Sequence, residues 1–365
     1  MKEDWKECKL GEEILFRNGK KRLNSIGNIP IYGGNGILGY SNESNYANCI
    51  IVGRVGAYCG SVFYEKNNCW ISDNAIVGLP NKKNDVRFCY YLLSQLQLNK
   101  RCIGTGQPLL TQEILNRIDI TLPPLATQQK IAQILSSLDD KIELNNKIND
   151  NLEQQAQVIF KSWFVDFEPF GGKMPKGWKM GKLSEIADII MGQSPDGKSY
   201  NEDGIGTVFY QGRAEFGTRF PTRRLFTTEP KRIAKKFDTL MSVRAPVGDL
   251  NIANEDCCIG RGLAAIHSKD SHQSFIHYTV VFLHPQLDVF NGEGTVFGCI
   301  NRDALNNMEV LIPSKPDLDK FEQIVAALDN DIFNRTEENR NLVSLRNTLL
   351  PRLMNGEIEV DEVKV

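Results

Sequence analysis

The feature that most constrains this chain is a long segment without glycine or proline, Ala126 to Glu168. Apolar and small residues recur in it at alternating steps of four and three, a spacing typical of a coiled-coil seam. These residues are Ile131, Leu135, Leu138, Ile142, Leu152, Ala156, Ile159 and Trp163. The spacing predicts a helix of about 65 Å. Two polar seam residues, Asn145 and Asn149, are expected to fix its register and its partner.

The same segment occurs a second time in the chain. Shifted by 190 residues without a gap, residues 104–167 match residues 294–357 at 14 of 64 positions, where about four matches would arise by chance. The start of the chain also repeats, at an offset of 173, and the matched pairs include Trp5 with Trp178, Leu10 with Leu183 and Gly19 with Gly192. Two copies predict the order globular segment, long helix, globular segment, long helix.

The second copy of the helix carries the seam again, so the two helices are expected to pack against each other. In this interpretation Leu138 and Ile142 face Leu328 and Ile332. Glycine and proline after the seam predict where the second helix stops. The relevant residues are Pro351, expected to end or kink the helix near Leu350, and Gly356 beyond it.

Both globular segments alternate β-branched and aromatic runs with glycine-rich turns, which predicts short strands. A helix is predicted in each, at about residues 85–99 and 273–282. The predicted fold class is therefore α+β, with two mostly-β globular domains and two long helices in an internal repeat. The predicted domains are a first globular domain (residues 1–125), a central helix (126–168), a second globular domain (173–313) and a C-terminal helix (316–355).

Composition narrows the class of protein. The chain is 41% hydrophobic and 24% charged, as soluble globular proteins are. No apolar run approaches the length of a membrane span and the first residues lack the apolar core of a signal peptide. We therefore expect a cytoplasmic protein without a membrane partner. Nine cysteines without a CxxC motif are expected to be reduced thiols.

Motifs for catalysis are absent from the sequence. It contains no GxxxxGK[ST], HExxH or GxSxG pattern, so phosphate-loop, zincin and hydrolase-elbow chemistry have no support. The four histidines fall within 18 residues but lack cysteine or carboxylate partners at metal-ligand spacing. We expect neither a catalytic residue nor a metal site, and the chain is interpreted as a binder.

The strongest local charge bias lies between Arg213 and Lys236. Basic residues alternate there with the aromatic residues Phe216, Phe220 and Phe226. Such a basic, aromatic stretch suits a phosphate backbone, because each neutralised phosphate releases counterions. An ordinary solvated surface with core aromatics is the alternative.

Longer motifs resemble the specificity subunits of type I restriction-modification enzymes, over nearly the whole chain. In the second half they are WKMGKLSEIADIIMGQSP, SVRAPVGDL, CIGRGLAAI and NRDALNNMEVLIPS. In the first half they are WKECKLGEE, IPIYGGNGILGY, GRVGAYCGSV, GTGQPLLTQEILNRIDITLPPL and QQKIAQILSSLD. The resemblance implies two target-recognition domains held apart by two antiparallel helices in a pseudo-twofold arrangement.

A division of labour follows from the resemblance. Each recognition domain would read one half of a split, asymmetric site on double-stranded DNA, through base edges in the major groove. The helices would set the unread spacer and dock two methyltransferase subunits, and the restriction and translocation subunits would join through these. S-adenosylmethionine, ATP and magnesium would be bound by the partner subunits, and this chain would bind no cofactor.

Candidate DNA contacts are chosen from the basic, amide and tyrosine residues of each recognition domain. Arginine suits guanine, and asparagine or glutamine suit adenine. In the first domain they are Lys20, Lys21, Arg22, Tyr32, Asn35, Arg54 and Tyr58. In the second they are Tyr210, Gln211, Arg213, Arg219, Arg223 and Arg224. The family-wide motif residues Arg244, Pro246, Gly248, Gly260 and Gly262 are assigned to the scaffold.

Other functions stay open at this point. A recognition subunit of a related two-subunit system that cuts on both sides of its site would have the same sequence features. A scaffold that binds only protein would explain the helices but not the basic loop. A fused methyltransferase-nuclease would need cofactor and metal motifs that the sequence lacks.

Overall fold

The computed structural model describes residues 4–24, 26–104, 106–244, 246–291, 298–360 and 363. The chain forms two compact units. Unit 1 comprises Met1–Leu144 and Glu338–Val365, and unit 2 comprises Asn145–Glu337. Both divisions fall inside a long helix, so each unit contains one globular domain and one part of each helix. No helix among the described residues has an apolar stretch long enough to cross a membrane.

The helices are α1 (Leu10–Glu13), α2 (Val86–Gln95), α3 (Gln112–Asn116), α4 (Leu125–Phe164), α5 (Leu183–Ile186), α6 (Gln273–Phe282), α7 (His284–Leu287), α8 (Arg302–Asn306) and α9 (Lys315–Met354). Asp85 begins α2, since its side chain accepts a hydrogen bond from the Phe88 amide at 2.9 Å, the usual role of aspartate at an N-cap. The two long helices, the two mostly-β domains and their repetition confirm the predicted α+β class.

The strands of unit 1 are β1 (Lys6–Lys9), β2 (Ile14–Asn18), β3 (Ile29–Gly33), β4 (Gly36–Ser41), β5 (Tyr46–Gly53), β6 (Val62–Ile71), β7 (Ala75–Pro80) and β8 (Asp119–Leu122). Six of them form one sheet in the order β2-β7-β5-β6-β3-β4, and β1 pairs with β8. The long strand β6 pairs antiparallel with β5 and, near its end, parallel with β3.

The strands of unit 2 are β9 (Lys179–Lys182), β10 (Ala187–Met191), β11 (Tyr200–Asn201), β12 (Thr207–Tyr210), β13 (Leu225–Thr227), β14 (Ile233–Ala234), β15 (Thr239–Val243), β16 (Val247–Ile252), β17 (Cys257–Ile259), β18 (Leu263–Ser268) and β19 (Glu309–Ile312). They form sheets in the orders β10-β18-β15-β16 and β11-β13-β12-β17-β14, with β19 beside β9. β16 and β17 together correspond to the long strand β6 of unit 1. Because the strand is interrupted between β16 and β17, unit 2 has two sheets where unit 1 has one six-stranded sheet.

The two long helices run antiparallel within each unit. In unit 1, Arg346 of α9 pairs with Asp139 of α4 at 2.7 Å. In unit 2, the Asn149 amide donates to the Thr336 hydroxyl at 3.3 Å, so a polar seam residue does contact the partner helix. Also in unit 2, the ring centre of Phe160 on α4 lies 6.0 Å from that of Phe321 on α9, so residue numbers rise along α4 as they fall along α9.

This direction contradicts the predicted contacts of the seam. Leu138 is buried in unit 1, whereas Leu328 packs in unit 2 against the cluster that contains Phe160 and Phe321. The prediction that Leu138 faces Leu328 was wrong because it matched residues by their position in the repeat. Antiparallel packing instead brings early residues of one helix to late residues of the other.

The first long helix ends before the predicted residue Glu168, and the second continues past Pro351. α4 ends at Phe164, and Phe167 takes a left-handed conformation with φ 55° that a helix cannot continue through. α9 runs to Met354 with Pro351 inside it, so the proline does not end the helix near Leu350. The Pro351 carbonyl still accepts from Asn355 at 2.9 Å, which continues the ladder past the proline.

Each unit has its own core. In unit 2, α4, α6 and α9 meet at the aromatic residues Phe160, Phe164, Phe275 and Phe321, all buried. Trp178 packs on the same cluster, with its ring centre 5.6 Å from that of Phe164. The recognition domain of unit 2 is therefore built directly onto the helices.

Two of the nine cysteines are joined in a disulfide. Cys59 and Cys102 form a disulfide with their Cα atoms 6.6 Å apart, so the prediction that all nine are reduced thiols was wrong. The two residues lie 43 apart in the sequence and outside any CxxC motif, and only the folded backbone brings them together. The other seven cysteines are free.

Candidate nucleic-acid interface

The candidate residues of unit 1 meet at the turn Ser72–Asn74, between β6 and β7. The Lys20 amide donates to the Ile71 carbonyl at 3.0 Å, and the Arg54 amide donates to the Asn74 carbonyl at 3.0 Å. The Arg54 guanidinium lies 3.5 Å from the Asp73 carbonyl oxygen. Residues separated by more than thirty positions in the sequence thus share one edge of the sheet.

Ser61 adds two further candidates to this edge. Its hydroxyl donates to the Gly34 carbonyl at 2.5 Å, beside Asn35 in the turn between β3 and β4. Its amide donates to the carbonyl of Tyr58 at 3.1 Å. Tyr58 is 54% exposed and Asn35 is exposed, so both side chains are open to a ligand. We call this edge, with Lys20, Lys21, Arg22, Asn35, Arg54 and Tyr58, the unit 1 face.

The unit 1 face keeps its positive charge. Arg22 donates to the Leu38 carbonyl at 2.6 Å and Arg54 approaches the Asp73 carbonyl. Among the described residues, no carboxylate pairs with either guanidinium or with Lys20 or Lys21. Unneutralised cations on one edge are the arrangement that attracts a polyanion.

Tyr32 does not belong to this face. It is 7% exposed and packs in a core cluster with Cys49 and Ile51. Its hydroxyl donates to Glu65 at 3.0 Å, and burial raises the pKa of Tyr32. The prediction of a DNA contact at Tyr32 was wrong, because its position on β3 points the ring into the core.

A corresponding turn, Gly260–Gly262, lies between β17 and β18 of unit 2. The Gln193 amide donates to the Ile259 carbonyl at 3.0 Å, as Lys20 does to Ile71. The Val243 amide donates to the Gly262 carbonyl at 2.9 Å, as Arg54 does to Asn74. The exposed side chains at this turn, which we call the unit 2 face, are Gln193, Gln211, Arg244 and Arg261.

One glycine in each copy permits this arrangement. A Cβ added to Gly19 would lie 2.0 Å from the Ser72 carbonyl oxygen, and one added to Gly192 would lie 2.1 Å from the Gly260 carbonyl oxygen. No side chain fits at such distances. The matched glycines of the sequence repeat therefore mark the close approach of the chain to the two turns.

Tyr210 is the counterpart of Tyr32 and needs the same correction. Its carbonyl accepts from Gly260 at 2.8 Å, as that of Tyr32 does from Ser72. The side chain is fully buried and its hydroxyl donates to Asn254 at 3.2 Å. A contact between Tyr210 and DNA is excluded by this burial.

The segment 211–224, between β12 and β13, carries the remaining candidates, and we call it the basic loop. Three of its arginines are about half exposed and each is paired with a carboxylate. The pairs are Arg213 with Asp249, Arg223 with Glu255, and Arg224 with Glu215 and Glu202. The hydrogen bond from Arg224 to Glu215 raises the pKa of Arg224. The pairs of Arg213 and Arg223 are exposed on both sides and therefore weak, so these two arginines can exchange a carboxylate for a phosphate. Glu215 is buried, so Arg224 is held more firmly by its carboxylate.

Arg219 of the basic loop is different. Its side chain is 10% exposed and pairs with Glu153 of α4 and Asp329 of α9. It also donates to the Tyr278 hydroxyl at 3.2 Å. The pKa of the neighbouring His277 lies well below its usual value, mainly because the ring is buried and secondly because Arg219 is positively charged. The prediction that Arg219 contacts DNA was wrong, since the guanidinium faces the helices.

Sequence reasoning missed part of the unit 2 face. Arg261 and Gln193 were not among the candidates, and Arg244 was assigned to the scaffold. The repeat contained a usable signal for one of them, since the offset of 173 that matches Gly19 with Gly192 also places Gln193 at the position of Lys20. Arg261 occupies the place of Asp73, and that correspondence is visible only in the strand pairing.

Three of the four histidines each pair with a different aspartate. His267 pairs with Asp238 at 2.5 Å, His272 with Asp319 at 2.7 Å and His284 with Asp288 at 3.3 Å. In the part of the chain that is described, no group of three or more histidine, cysteine or carboxylate side chains is arranged to hold a metal.

Comparison with known proteins places the chain in a family. A model of the type I restriction modification DNA specificity domain matches residues 2–154 and again residues 175–342. The chain belongs to the type I restriction-modification specificity family. A specificity subunit is the DNA-recognition component of such a system and is not its catalyst.

Individual specificity subunits are similar over most of the chain. The MjaX specificity subunit of Methanocaldococcus jannaschii is 31% identical over 85% of this chain and 76% of its own length. The HindI specificity subunit of Haemophilus influenzae is 25% identical over 69% of this chain and 71% of its own. The crystal structure of a type I S subunit from M. genitalium shares the fold, with a TM-score of 0.66, 18% identity and 96% of both chains covered.

For this specificity subunit, replacing Arg223 by alanine is expected to weaken DNA binding. If Arg223 reads a base, the loss falls on one position of the site. If it contacts a phosphate, all sequences lose affinity and the salt slope falls by about 1. Fluorescence anisotropy of labelled duplexes at several salt concentrations measures both, with the methyltransferase complex as the sample.

The matched control removes the partner of Arg223 instead. Glu255→Gln frees the guanidinium from its carboxylate and is expected to leave binding unchanged or to strengthen it. An Arg223→Ala variant with the affinity and salt slope of the wild type would remove Arg223 from the interface.

Proposed function

We propose that each unit of this specificity subunit reads one half of a split, asymmetric DNA sequence. The observation that carries the proposal is the correspondence of the two faces. In each unit the same turn, Ser72–Asn74 or Gly260–Gly262, is bordered by exposed cationic and amide side chains. The side chains themselves differ, with Lys20 replaced by Gln193 and Asp73 by Arg261. Equal scaffolds with different side chains are suited to reading two different half-sites through the major groove.

The long helices are proposed to set the length of DNA between the half-sites and to dock the methyltransferase. Two helices that pack along their length would hold the recognition domains at a constant separation. Proteins that bind two DNA half-sites require such a fixed separation. Several apolar side chains of the helices are at least 44% exposed and are available for such a contact. They are Leu144, Val158, Ile324 and Leu345.

The other components are assigned by the same reasoning. Two methyltransferase subunits would supply S-adenosylmethionine and the base-flipping chemistry on adenine. The restriction and translocation subunits, with ATP and magnesium, would join through them. This chain would contribute the choice of DNA sequence, and the charge on the unit 1 face supports that role.

Genome-wide methylation mapping tests the proposal. The chain is co-expressed with the methyltransferase subunit encoded beside it, and modified adenines are located by single-molecule sequencing. We expect a two-part motif with a fixed spacer, absent when this chain is omitted. Methylation that continues without the chain would contradict the DNA-reading role and favour a scaffold that binds only protein.

Exchanging one recognition domain shows which half of the DNA motif each unit reads. Replacing residues 173–313 by the corresponding domain of another specificity subunit is expected to change one half of the motif and to leave the spacer and the other half intact. A change in both halves would contradict independent reading. Cleavage assays with the complete system then distinguish a type I system from the related two-subunit systems, which cut on both sides of the site.

A further inference from the structure

The basic loop of unit 2 is attached to its own domain by hydrogen bonds to residues 251 and 252. The Arg219 carbonyl accepts from the Ile252 amide at 2.8 Å. The Asn251 side chain accepts from the Gly217 amide at 3.2 Å and donates to its carbonyl at 2.9 Å. These bonds place residues 217–219 beside β16 and leave Arg213, Arg223 and Arg224 on the solvent side.

Two adjacent residues attach the same loop to the long helices. Arg219 pairs with Glu153 of α4 and, at 2.5 Å, with Asp329 of α9. Phe220 is 7% exposed, and its ring centre lies 5.6 Å from that of Phe333 on α9. The loop thus has one ionic and one apolar contact with the helices.

The other copy of the repeat shows what is particular to this attachment. In unit 1 the Tyr91 hydroxyl donates to Asp139 at 2.6 Å, as Tyr278 does to Asp329 at 3.0 Å in unit 2. Both clusters are completed by an arginine. In unit 1 it is Arg346, which belongs to the long helix α9.

In unit 2 the arginine comes from the basic loop instead. The tyrosine and aspartate are the same, but the helices hold a loop that carries candidate DNA contacts. A phosphate that approached Arg219 would meet the charges of Glu153 and Asp329, and the side chain is nine-tenths buried. The position of the Arg219 side chain therefore suits a role in holding the basic loop on the helices, and it does not suit a contact with DNA.

We propose that Arg219 is a positioning residue, which fixes the basic loop on the long helices so that Arg213, Arg223 and Arg224 meet their half-site in one orientation. This inference rests on the proposed function. It predicts that accuracy at one half-site depends on a buried side chain that never contacts the DNA. It also predicts that the acidic partners on the helices are needed for the same accuracy.

The test uses the chain in complex with the methyltransferase and compares four variants by methylation mapping. Arg219→Gln, Glu153→Gln and Asp329→Asn each remove one charge of the cluster. We expect each to relax discrimination by about tenfold at the half-site that the domain exchange assigns to unit 2. The other half-site is expected to keep its wild-type discrimination.

Arg346→Gln is the matched control, because it removes the arginine of the unit 1 cluster without touching the basic loop. We expect it to leave reading of the unit 2 half-site unchanged. If it relaxes that half-site as much as Arg219→Gln does, the effect is one of general stability and the proposal is overturned. Retained accuracy in Arg219→Gln overturns it as well.

A direct DNA contact predicts a different pattern. In that case Arg219→Gln weakens binding while Glu153→Gln and Asp329→Asn leave it unchanged or strengthen it, and this result would overturn the positioning role. Should Arg219→Gln fail to fold, Arg219→Lys replaces it, since lysine keeps the charge but cannot contact two carboxylates with a planar fork. Relaxed accuracy in Arg219→Lys supports the proposal, and wild-type accuracy overturns it. Loss of the two-part motif in the wild-type complex would instead contradict the proposed function itself.

Discussion

Replacing Phe321 by alanine is expected to lower the free energy of unfolding by about 3–5 kcal/mol. The side chain is fully buried on α9, and its ring centre lies 4.9 Å from that of Phe164 on α4 and 6.3 Å from that of Phe275 on α6. Truncation would therefore leave a cavity where both long helices meet the recognition domain of unit 2. Denaturant titration followed by tryptophan fluorescence measures the loss, and Trp163 and Trp178 lie close enough to report it.

Ile324→Ala is the control for this prediction. Ile324 is on the same helix, three residues further on, but it is 45% exposed, and surface substitutions of this kind usually change stability by less than about 0.5 kcal/mol. Similar losses for the two variants would mean that helix propensity, and not the aromatic cluster, determines the stability of this region. A loss below about 1 kcal/mol for Phe321→Ala would show that the cluster is able to repack.

The long helices could be predicted because their signal is local and repeated. Seam spacing identifies a helix without reference to the rest of the fold, and both segments are helical for forty residues. Which residues face each other could not be read from the repeat, because it does not give the direction of packing. The Asp139–Arg346 pair and the Asn149–Thr336 contact depend on that direction.

The charges of the basic loop show a second limit of sequence reasoning. Along the chain, residues 213–236 have only Glu215 and Glu229 against their many basic residues. In the fold, acidic side chains from other elements neutralise the arginines, among them Asp249, Glu255 and Asp329. Counting charges along the sequence therefore overestimated the unpaired positive charge of the basic loop. It underestimated the unpaired positive charge of the unit 1 face.

That face could not be found from the sequence as a unit. Its residues come from the ends of several strands, and they meet because β6 pairs with β3 and β5, and β7 pairs with β5 and β2. The individual residues Lys20, Asn35, Arg54 and Tyr58 were predicted, and the structure brings them to one turn. Tyr32 was included wrongly, because alternation along a strand did not settle which side of the sheet it faces.

The unit 1 face leads to the prediction with the largest effect on DNA binding. The double variant Lys20→Gln and Arg54→Gln removes two cations that no carboxylate among the described residues neutralises. If both contact phosphates, the salt slope is expected to fall by about 1.8 and the affinity at 0.1 M salt by about 60-fold. Anisotropy titrations of the methyltransferase complex from 50 to 200 mM salt would measure both quantities.

The control removes the same charge from elsewhere in unit 1. Lys82 and Lys83 are exposed and follow the far end of β7, about 20 Å of strand from the turn Ser72–Asn74. Changing both to glutamine lowers the net charge equally, so any long-range effect of charge is expected to be the same in the two variants. A slope that falls only in the Lys20 and Arg54 variant locates the DNA at the turn. Equal changes of the salt slope in the two variants would mean that the chain attracts DNA by its overall charge. That result would contradict the proposal that the turn Ser72–Asn74 reads a half-site.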